Sequence, residues 1–273
     1  MSLIRSHHSP PAINKVIEAI NELPTQQNVA FEICRVIDSD ASAQEVATLV
    51  ERDPTIAARL LRLANSAFYG LDRHVSNTAF AIAVVGFNAV RSIALTSTNT
   101  INKSDSMPPQ FWQKTSMLAV AAGELAPFSN QPIPDAFSLG LLSTVGSALL
   151  WHVDQAAYSA LLHKADNNAE VLKMSEIERY GMTNSSIAAK ALRTWSLPIA
   201  MIDALDTCDM YQDQPNLSTV LATANEMVRR HMVPTATPGD IARLSAGAIQ
   251  EDDVDVIIER VARSAESVLA SFL

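Results

Sequence analysis

Apolar residues recur every three or four positions along most of this 273-residue chain, which is the spacing of one helix face. In the stretch DPTIAARLLRLANSAF, residues 53–68, Ile56, Leu60 and Leu63 fall on a single stripe. The same spacing predicts further helices at 154–166, 169–180, 184–195, 198–209, 217–231 and 254–272. Because no run of alternating apolar and polar residues is bounded by turn dipeptides, we predict no strands.

Polar residues that can cap helices stand at the starts of these segments. Ser42 is followed three residues later by Glu45, which is the spacing of a capping box. Asp53 precedes Pro54, and this pair fits an N-cap with proline in the first helical position. Both signals predict where a helix begins and favour an all-helical chain.

The stretch GLLSTVGSALLW, residues 140–151, is apolar except for its hydroxyl groups, two of which are adjacent. We interpret it as the middle of a buried helix that Pro134 opens. Ser143 and Thr144 can then satisfy their hydroxyl groups by bonding carbonyl groups one turn back. The alternative is a polar pocket that binds a ligand without cleaving it.

Composition supports the helical prediction and sets the size of the fold. Glycine is scarce, at 8 residues, so few positions suit tight hairpin turns. The length fits one large domain or two closely packed ones. The polar segment NKSDSMPP, 102–109, is the predicted internal linker. The last predicted helix has near-heptad apolar spacing over less than three heptads, which favours packing on its own domain over a dimer seam.

Charge argues against nucleic acid and membranes as partners. The formal net charge is −9, and phosphate groups attract basic surfaces. Arg59, Arg62 and Arg91 are dispersed along apolar helices, so we predict that they lie on solvated helix faces. The chain shows no signal-peptide pattern and no uncharged apolar run of about 18 residues. We therefore expect a cytoplasmic protein without a membrane segment.

Several segments together resemble the HDOD domain family, the HD-related output domains of bacterial signalling proteins. They are Leu23–Pro24, DPTIAARLLRLANSAFYG at 53–70, AIAVVGFNAVRSIAL at 81–95, FWQKTSMLAVAAGELA at 111–126, FSLGLLSTVGSALL at 137–150 and YGMTNSSIAAKALRTWSLPIAMIDAL at 180–205. The resemblance implies an all-α fold, in which an N-terminal helical bundle packs on a degenerate bundle related to HD phosphohydrolases.

The resemblance also implies how the chain is divided. The HDOD-like domain covers 15–210, with an N-terminal helical bundle at about 15–105 and an HD-like helical bundle at about 106–210. Residues 211–273 are then a C-terminal helical extension, which we expect to pack on the same unit.

HD phosphohydrolases hold a divalent ion with imidazole and carboxylate ligands from separate helices and use it to activate water. By resemblance, the HD pair falls at Ser143 and Thr144, an earlier histidine position at Lys114, and a later position at Asn184. Hydroxyl groups are poor metal ligands, and Lys114 adds a positive charge. We therefore expect no metal, no cofactor and no catalysis, and treat these four residues as a relict pocket.

Because the expected metal ligands are replaced, we predict a regulatory function. The protein would be a non-catalytic signal-transduction protein that acts by binding other signalling proteins. Three alternatives stay open at this point. The chain could be a small-ligand sensor that uses the relict pocket, a phosphohydrolase with unorthodox groups, or a DNA-binding module built from the two short helices predicted in 40–64. The acidic charge argues against the last of these. A homodimer is also compatible with the sequence.

Overall fold

A computed structural model describes residues 11–22, 29–97, 107–108, 110–235 and 237–272, and helices are the only regular secondary structure among them. The first six are α1 (Pro11–Glu22), α2 (Val29–Asp38), α3 (Ala43–Val50), α4 (Pro54–Ala64), α5 (Thr78–Val85) and α6 (Phe87–Thr96). The next six are α7 (Phe111–Leu125), α8 (Ile133–Leu142), α9 (Val145–Ala165), α10 (Ala169–Tyr180), α11 (Asn184–Thr194) and α12 (Ile199–Thr207). The chain continues with α13 (Leu217–Met232), α14 (Ile241–Leu244) and α15 (Val254–Leu269). The all-α prediction is confirmed. Leu23–Pro24 and all of the predicted linker except 107–108 lie outside the described residues.

The helices form two groups, α2 to α6 and α7 to α15, which meet where α6 packs on α8 and α4 contacts α15. In the first group α2 packs on α6, and α5 packs on α3 and α4. In the second group α7 is buried along most of its length between α8, α13 and α15. The first helix, α1, packs mainly on α9 and α10. The helices that follow residue 210 therefore cover α7 and share its core.

The caps expected from the sequence are present. The Ser42 backbone N–H donates to Glu45 Oε2 at 2.8 Å, and the Glu45 N–H donates to Ser42 Oγ at 3.3 Å, which completes a capping box. The Asp53 carboxylate accepts from the N–H groups of Thr55 and Ile56 at 2.9 and 3.2 Å. These bonds satisfy N–H groups that have no partner inside the helix.

The stretch 140–151 departs from our interpretation, because it is a junction between two helices and not the middle of one. The helix α8 ends at Leu142, Ser143 and Thr144 form the break, and α9 begins at Val145. Ser143 Oγ donates to the Gly140 carbonyl oxygen at 2.7 Å. A hydroxyl that bonds the carbonyl three residues back competes with the helical backbone, and this pattern accompanies the end of α8.

The predicted solvated faces for Arg59 and Arg91 are wrong. Arg59 is 5% exposed, and its guanidinium donates to the Phe272 carbonyl oxygen at 2.9 Å and to Ser97 Oγ at 3.0 Å. Its Cζ atom also lies 5.9 Å from the centroid of the Trp112 ring. Arg91 is 7% exposed and pairs with Asp38. Because both guanidinium groups are buried and bonded within the protein, they cannot form part of a nucleic-acid-binding surface.

Arg59 lies where α4 contacts the end of α15 and the residues that follow it. The Phe272 ring, just beyond α15, stacks on Trp112 with centroids 5.5 Å apart and planes inclined by 9°. Arg62 donates to the Ala270 carbonyl oxygen at 2.8 Å. The apolar stripe of α15 is buried mainly against α7, as expected for packing on its own domain.

One apolar stretch, Ile133–Ala165, is long enough by length and composition to cross a membrane. It spans α8 and α9, and 83% of its most apolar window is buried inside the fold. Burial of this kind is typical of core helices, which satisfy the same test of length and composition.

Candidate functional site

The relict-pocket residues come from three places in the second helical group: the start of α7, the α8–α9 junction and the start of α11. Thr115 Oγ1 and Thr144 Oγ1 are 3.0 Å apart and share a hydrogen bond. Gly146 allows the start of α11 to approach α9, because a Cβ atom there would lie 1.9 Å from the Asn184 carbonyl oxygen. The missing side chain at Gly146 therefore allows α9 and α11 to lie this close together.

The hydroxyl groups of the junction are occupied by bonds within the protein. Thr115 Oγ1 donates to the Phe111 carbonyl oxygen at 2.8 Å, while Thr144 Oγ1 lies 3.3 Å from the Leu141 carbonyl oxygen. Ser143 Oγ is bonded to its own helix, as described above. Ser143 and Thr144 are both buried. Neither hydroxyl group is presented as a free ligand.

A carboxylate that the sequence analysis did not single out organises the site. Glu176 on α10 is fully buried and accepts from the Asn184 backbone N–H at 2.8 Å. The Asn184 side-chain amide also donates to it, at 3.0 Å, and the Tyr158 hydroxyl donates at 2.9 Å. Tyr158 in turn lies within hydrogen-bond distance of Ser147 Oγ on α9, at 3.1 Å. Glu176 thus joins α9, α10 and α11.

The pKa of Glu176 is raised by burial, and this effect exceeds the opposing effect of the bonds from Asn184 and Tyr158 and of the charge on Lys114. The pKa of Tyr158 is raised well above its ordinary value, first by burial and then by the charge of Glu176. At neutral pH the phenol is therefore protonated and can donate its hydrogen bond to Glu176.

Lys114, on α7, carries the positive charge of the site. Its side chain is exposed to solvent, yet the protein around it desolvates the ammonium group enough to lower its pKa, with the charge of Glu176 opposing. Burial therefore disfavours the charged form of Lys114, and the charge of Glu176 favours it.

These side chains do not suit a divalent metal ion. The Thr115 and Thr144 hydroxyl groups bond each other, and Glu176 already accepts bonds from Asn184 and Tyr158. Lys114 adds a positive charge that repels a cation. Among the described residues, no three histidine, cysteine, aspartate or glutamate side chains come together in a group able to hold a metal.

The two cysteine thiols are free and buried. Burial raises the pKa of Cys34 and of Cys208 to about 12, and the charge of Asp209 adds to the effect at Cys208. Both thiols are therefore protonated at neutral pH and poor nucleophiles.

Asn65, in the LANSAFYG segment, has a structural role. It closes a loop by bonding both the N–H and the carbonyl of Val75, at 2.7 and 2.8 Å.

Comparison with known proteins agrees with this architecture. A candidate phosphohydrolase from Shewanella amazonensis SB2B superposes with a TM-score of 0.72 at 21% identity, over 97% of this chain and 99% of that one. The MmoQ response regulator from Methylococcus capsulatus str. Bath is 26% identical with a TM-score of 0.50, over 84% of this chain and 95% of that one.

A curated relative, an uncharacterized protein from Treponema pallidum (strain Nichols), is 22% identical over 200 residues. The alignment covers 70% of this chain but only 38% of that protein. The sequence profile of the HDOD domain matches residues 23–209. That match spans more than half of the sequence and confirms the resemblance, so the chain belongs to the HDOD domain family.

Proposed function

We propose that this HDOD protein is non-catalytic and acts in cytoplasmic signalling by binding other signalling proteins. The observation that carries the proposal is the Thr115–Thr144 hydrogen bond, at the position where the resemblance puts the metal ligands of HD phosphohydrolases. The likeness to a response regulator at 26% identity supports the signalling role.

The physical argument is that hydrolysis of a phosphate ester in an HD site needs a metal-bound hydroxide. Imidazole and carboxylate ligands lower the energy of the bound ion, whereas neutral hydroxyl groups bind it weakly. Here the buried carboxylate of Glu176 already accepts bonds from Asn184 and Tyr158, and Lys114 brings a positive charge. A protein with this set of groups is better suited to binding than to hydrolysis.

The experiment that tests the proposal compares the wild-type protein with a triple variant, Lys114→His, Ser143→His and Thr144→Asp. The variant places imidazole and carboxylate groups at three of the four positions where the resemblance expects metal ligands. We expect Mn²⁺ to raise the melting temperature of the variant and leave that of the wild type unchanged, because only a folded state that binds the ion is stabilised by it.

Each protein serves as its own control, since the readout is the change in melting temperature on adding the ion. Hydrolysis of bis(p-nitrophenyl) phosphate is measured in parallel, and we expect none from the wild type. A stoichiometric ion held by the wild-type protein, or metal-dependent hydrolysis by it, would contradict the proposal.

A second candidate function is a sensor for a small anionic ligand, and the solvent-exposed but desolvated ammonium group of Lys114 favours it. An accessible but partly desolvated ammonium group binds anions more strongly than one in bulk water. The test is a thermal-shift screen of phosphate and nucleotides against the wild type and Lys114→Gln. A stabilisation that the variant loses supports the sensor, and equal shifts in both proteins refute it.

A further inference from the structure

The solvent-facing side of α10 carries apolar side chains where a surface helix normally has polar ones. Val171, Met174 and Ile177 follow one another at three-residue spacing, so they lie along one face of the helix. All three are exposed, Met174 by 67%. Their surface is left uncovered by the rest of the described fold.

Two further exposed apolar residues follow an aspartate that is ion-paired to α10. Lys173 on α10 is 2.6 Å from Asp209, which follows the end of α12. The ion pair places the next residues, Met210 and Tyr211, next to α10, and both are exposed. We define the α10–α12 surface as Val171, Met174, Ile177, Met210 and Tyr211. Methionine and tyrosine are typical of surfaces that bind proteins.

The edge of the α10–α12 surface is acidic. Exposed carboxylates lie on α10, on α12 and in the segment that follows α12: Glu170, Glu178, Asp203, Asp209 and Asp213. The basic residues on its sides are engaged in ion pairs, Lys173 with Glu170 and Asp209, Arg179 with Asp154, and Arg193 with Asp206. Arg243 lies over the Tyr211 ring. The five carboxylates outnumber Lys173, which pairs with two of them, so the surface joins apolar side chains to an excess of negative charge.

We propose that the α10–α12 surface docks a basic amphipathic helix of a partner protein. A partner helix with apolar residues on one face and lysine or arginine beside them matches both the apolar stripe and the acidic edge. A second copy of this chain fits poorly, because it carries a net charge of −9 and would bring one acidic edge against another.

A depression beside Tyr211 offers such a helix a further binding position. Tyr211 borders an open depression of about 570 Å³, which Asp213, Asp240 and Arg243 also line. A basic side chain of the partner can enter there and pair with the two carboxylates. This assignment rests on the proposed function, because it names the surface and the partner chemistry through which the protein would signal.

The test measures binding of a fluorescein-labelled amphipathic peptide of leucine and lysine by fluorescence anisotropy. A peptide with the same leucine pattern and glutamate in place of lysine is the charge control. We expect the lysine peptide to bind, the glutamate peptide not to bind, and added salt to weaken binding because the acidic edge contributes to it.

Paired variants of the protein locate the site. We expect Met174→Ser combined with Ile177→Ser to weaken binding of the lysine peptide about tenfold, or about 1.4 kcal/mol. The matched control, Val256→Ser, alters an apolar residue of similar exposure on α15 and should leave affinity unchanged. Glu170→Gln with Glu178→Gln should weaken binding, whereas Asp255→Asn with Glu259→Gln on α15 should not.

Three results would overturn the assignment. These are no binding of the lysine peptide at low salt, equal binding by the Met174/Ile177 variant and the wild type, and a wild-type dimer in sedimentation that this variant abolishes. None of them restores a metal site, so the non-catalytic proposal would survive. Metal-dependent hydrolysis by the wild type would refute that proposal whatever the peptide does.

Discussion

Glu176 links three helices of the second group through buried hydrogen bonds. Its carboxylate accepts from two donors of Asn184 and from Tyr158. Glu176→Ala would remove the acceptor of both Asn184 donors and leave Tyr158 only Ser147, so we expect a loss of about 3 kcal/mol in the free energy of unfolding. Tyr158→Phe removes only one of the donors and should cost about 1 kcal/mol. Urea denaturation measures both, and equal losses would contradict this account.

A second glutamate, Glu226 on α13, gives a prediction about pH. Burial raises its pKa, but bonds from Arg229, the Gly239 N–H and Arg230 outweigh burial and lower the pKa below its ordinary value of 4.5. A carboxyl whose pKa is lower in the folded state stabilises the protein above its unfolded pKa, and this contribution is lost as pH falls through its folded pKa.

We therefore expect Glu226→Gln to be less stable than the wild type at neutral pH. The difference in the free energy of unfolding should narrow as the pH falls from about 6 to about 3, because the wild-type carboxylate becomes protonated. Urea denaturation at a series of pH values measures this. A difference that stays constant over the range would show that the charge of Glu226 contributes nothing.

At the scale of elements, the contact between α9 and α11 depends on Gly146. Helix propensity alone predicts that Gly146→Ala stabilises α9 by about 1 kcal/mol. The added Cβ atom would lie 1.9 Å from the Asn184 carbonyl oxygen, so we expect destabilisation by more than about 2 kcal/mol instead. The two arguments differ in sign, and thermal or urea denaturation separates them.

The control for Gly146→Ala is Ala160→Gly, at an exposed position of the same helix. It should cost about 1 kcal/mol through propensity alone. If Gly146→Ala proves stabilising, α11 can move away from α9 at little cost, and the close approach does not position Asn184.

Helix starts were predictable from the sequence because a cap depends on residues within one turn. Ser42 with Glu45, and Asp53, bond N–H groups two or three residues away. The break at Ser143–Thr144 was missed, because the apolar pattern continues through both α8 and α9 and only the hydroxyl bonds distinguish the junction.

The residues that organise the candidate site were less accessible to sequence reasoning. Glu176 stands in SEIERY among other charged residues, and its burial follows from how α9 and α11 pack on α10. The weak local signal is Tyr180, one turn later on the same buried side. Arg59 was assigned to solvent for a similar reason, since its partner Phe272 lies 213 residues away in the sequence.

At the scale of the whole molecule, the Trp112–Phe272 stack joins α15 to α7 beside Arg59 of α4. Phe272→Ala removes the buried ring and leaves a cavity, so we expect a loss of about 3 kcal/mol in the free energy of unfolding. Val256→Ala, at an exposed position of α15, should change it by less than about 0.5 kcal/mol. Similar losses from both variants would mean that the ring contributes little.

The contact between Arg59 and Phe272 also bears on how this protein is made. A ribosome adds about 5 to 20 residues per second, so Phe272 is added roughly 10 to 40 seconds after Arg59. During that interval α4 can already pack on α3, α5 and α6, but the bonds of Arg59 and Arg62 to Phe272 and Ala270 cannot form. The last contacts of α4 are therefore made only when the end of α15 leaves the exit tunnel.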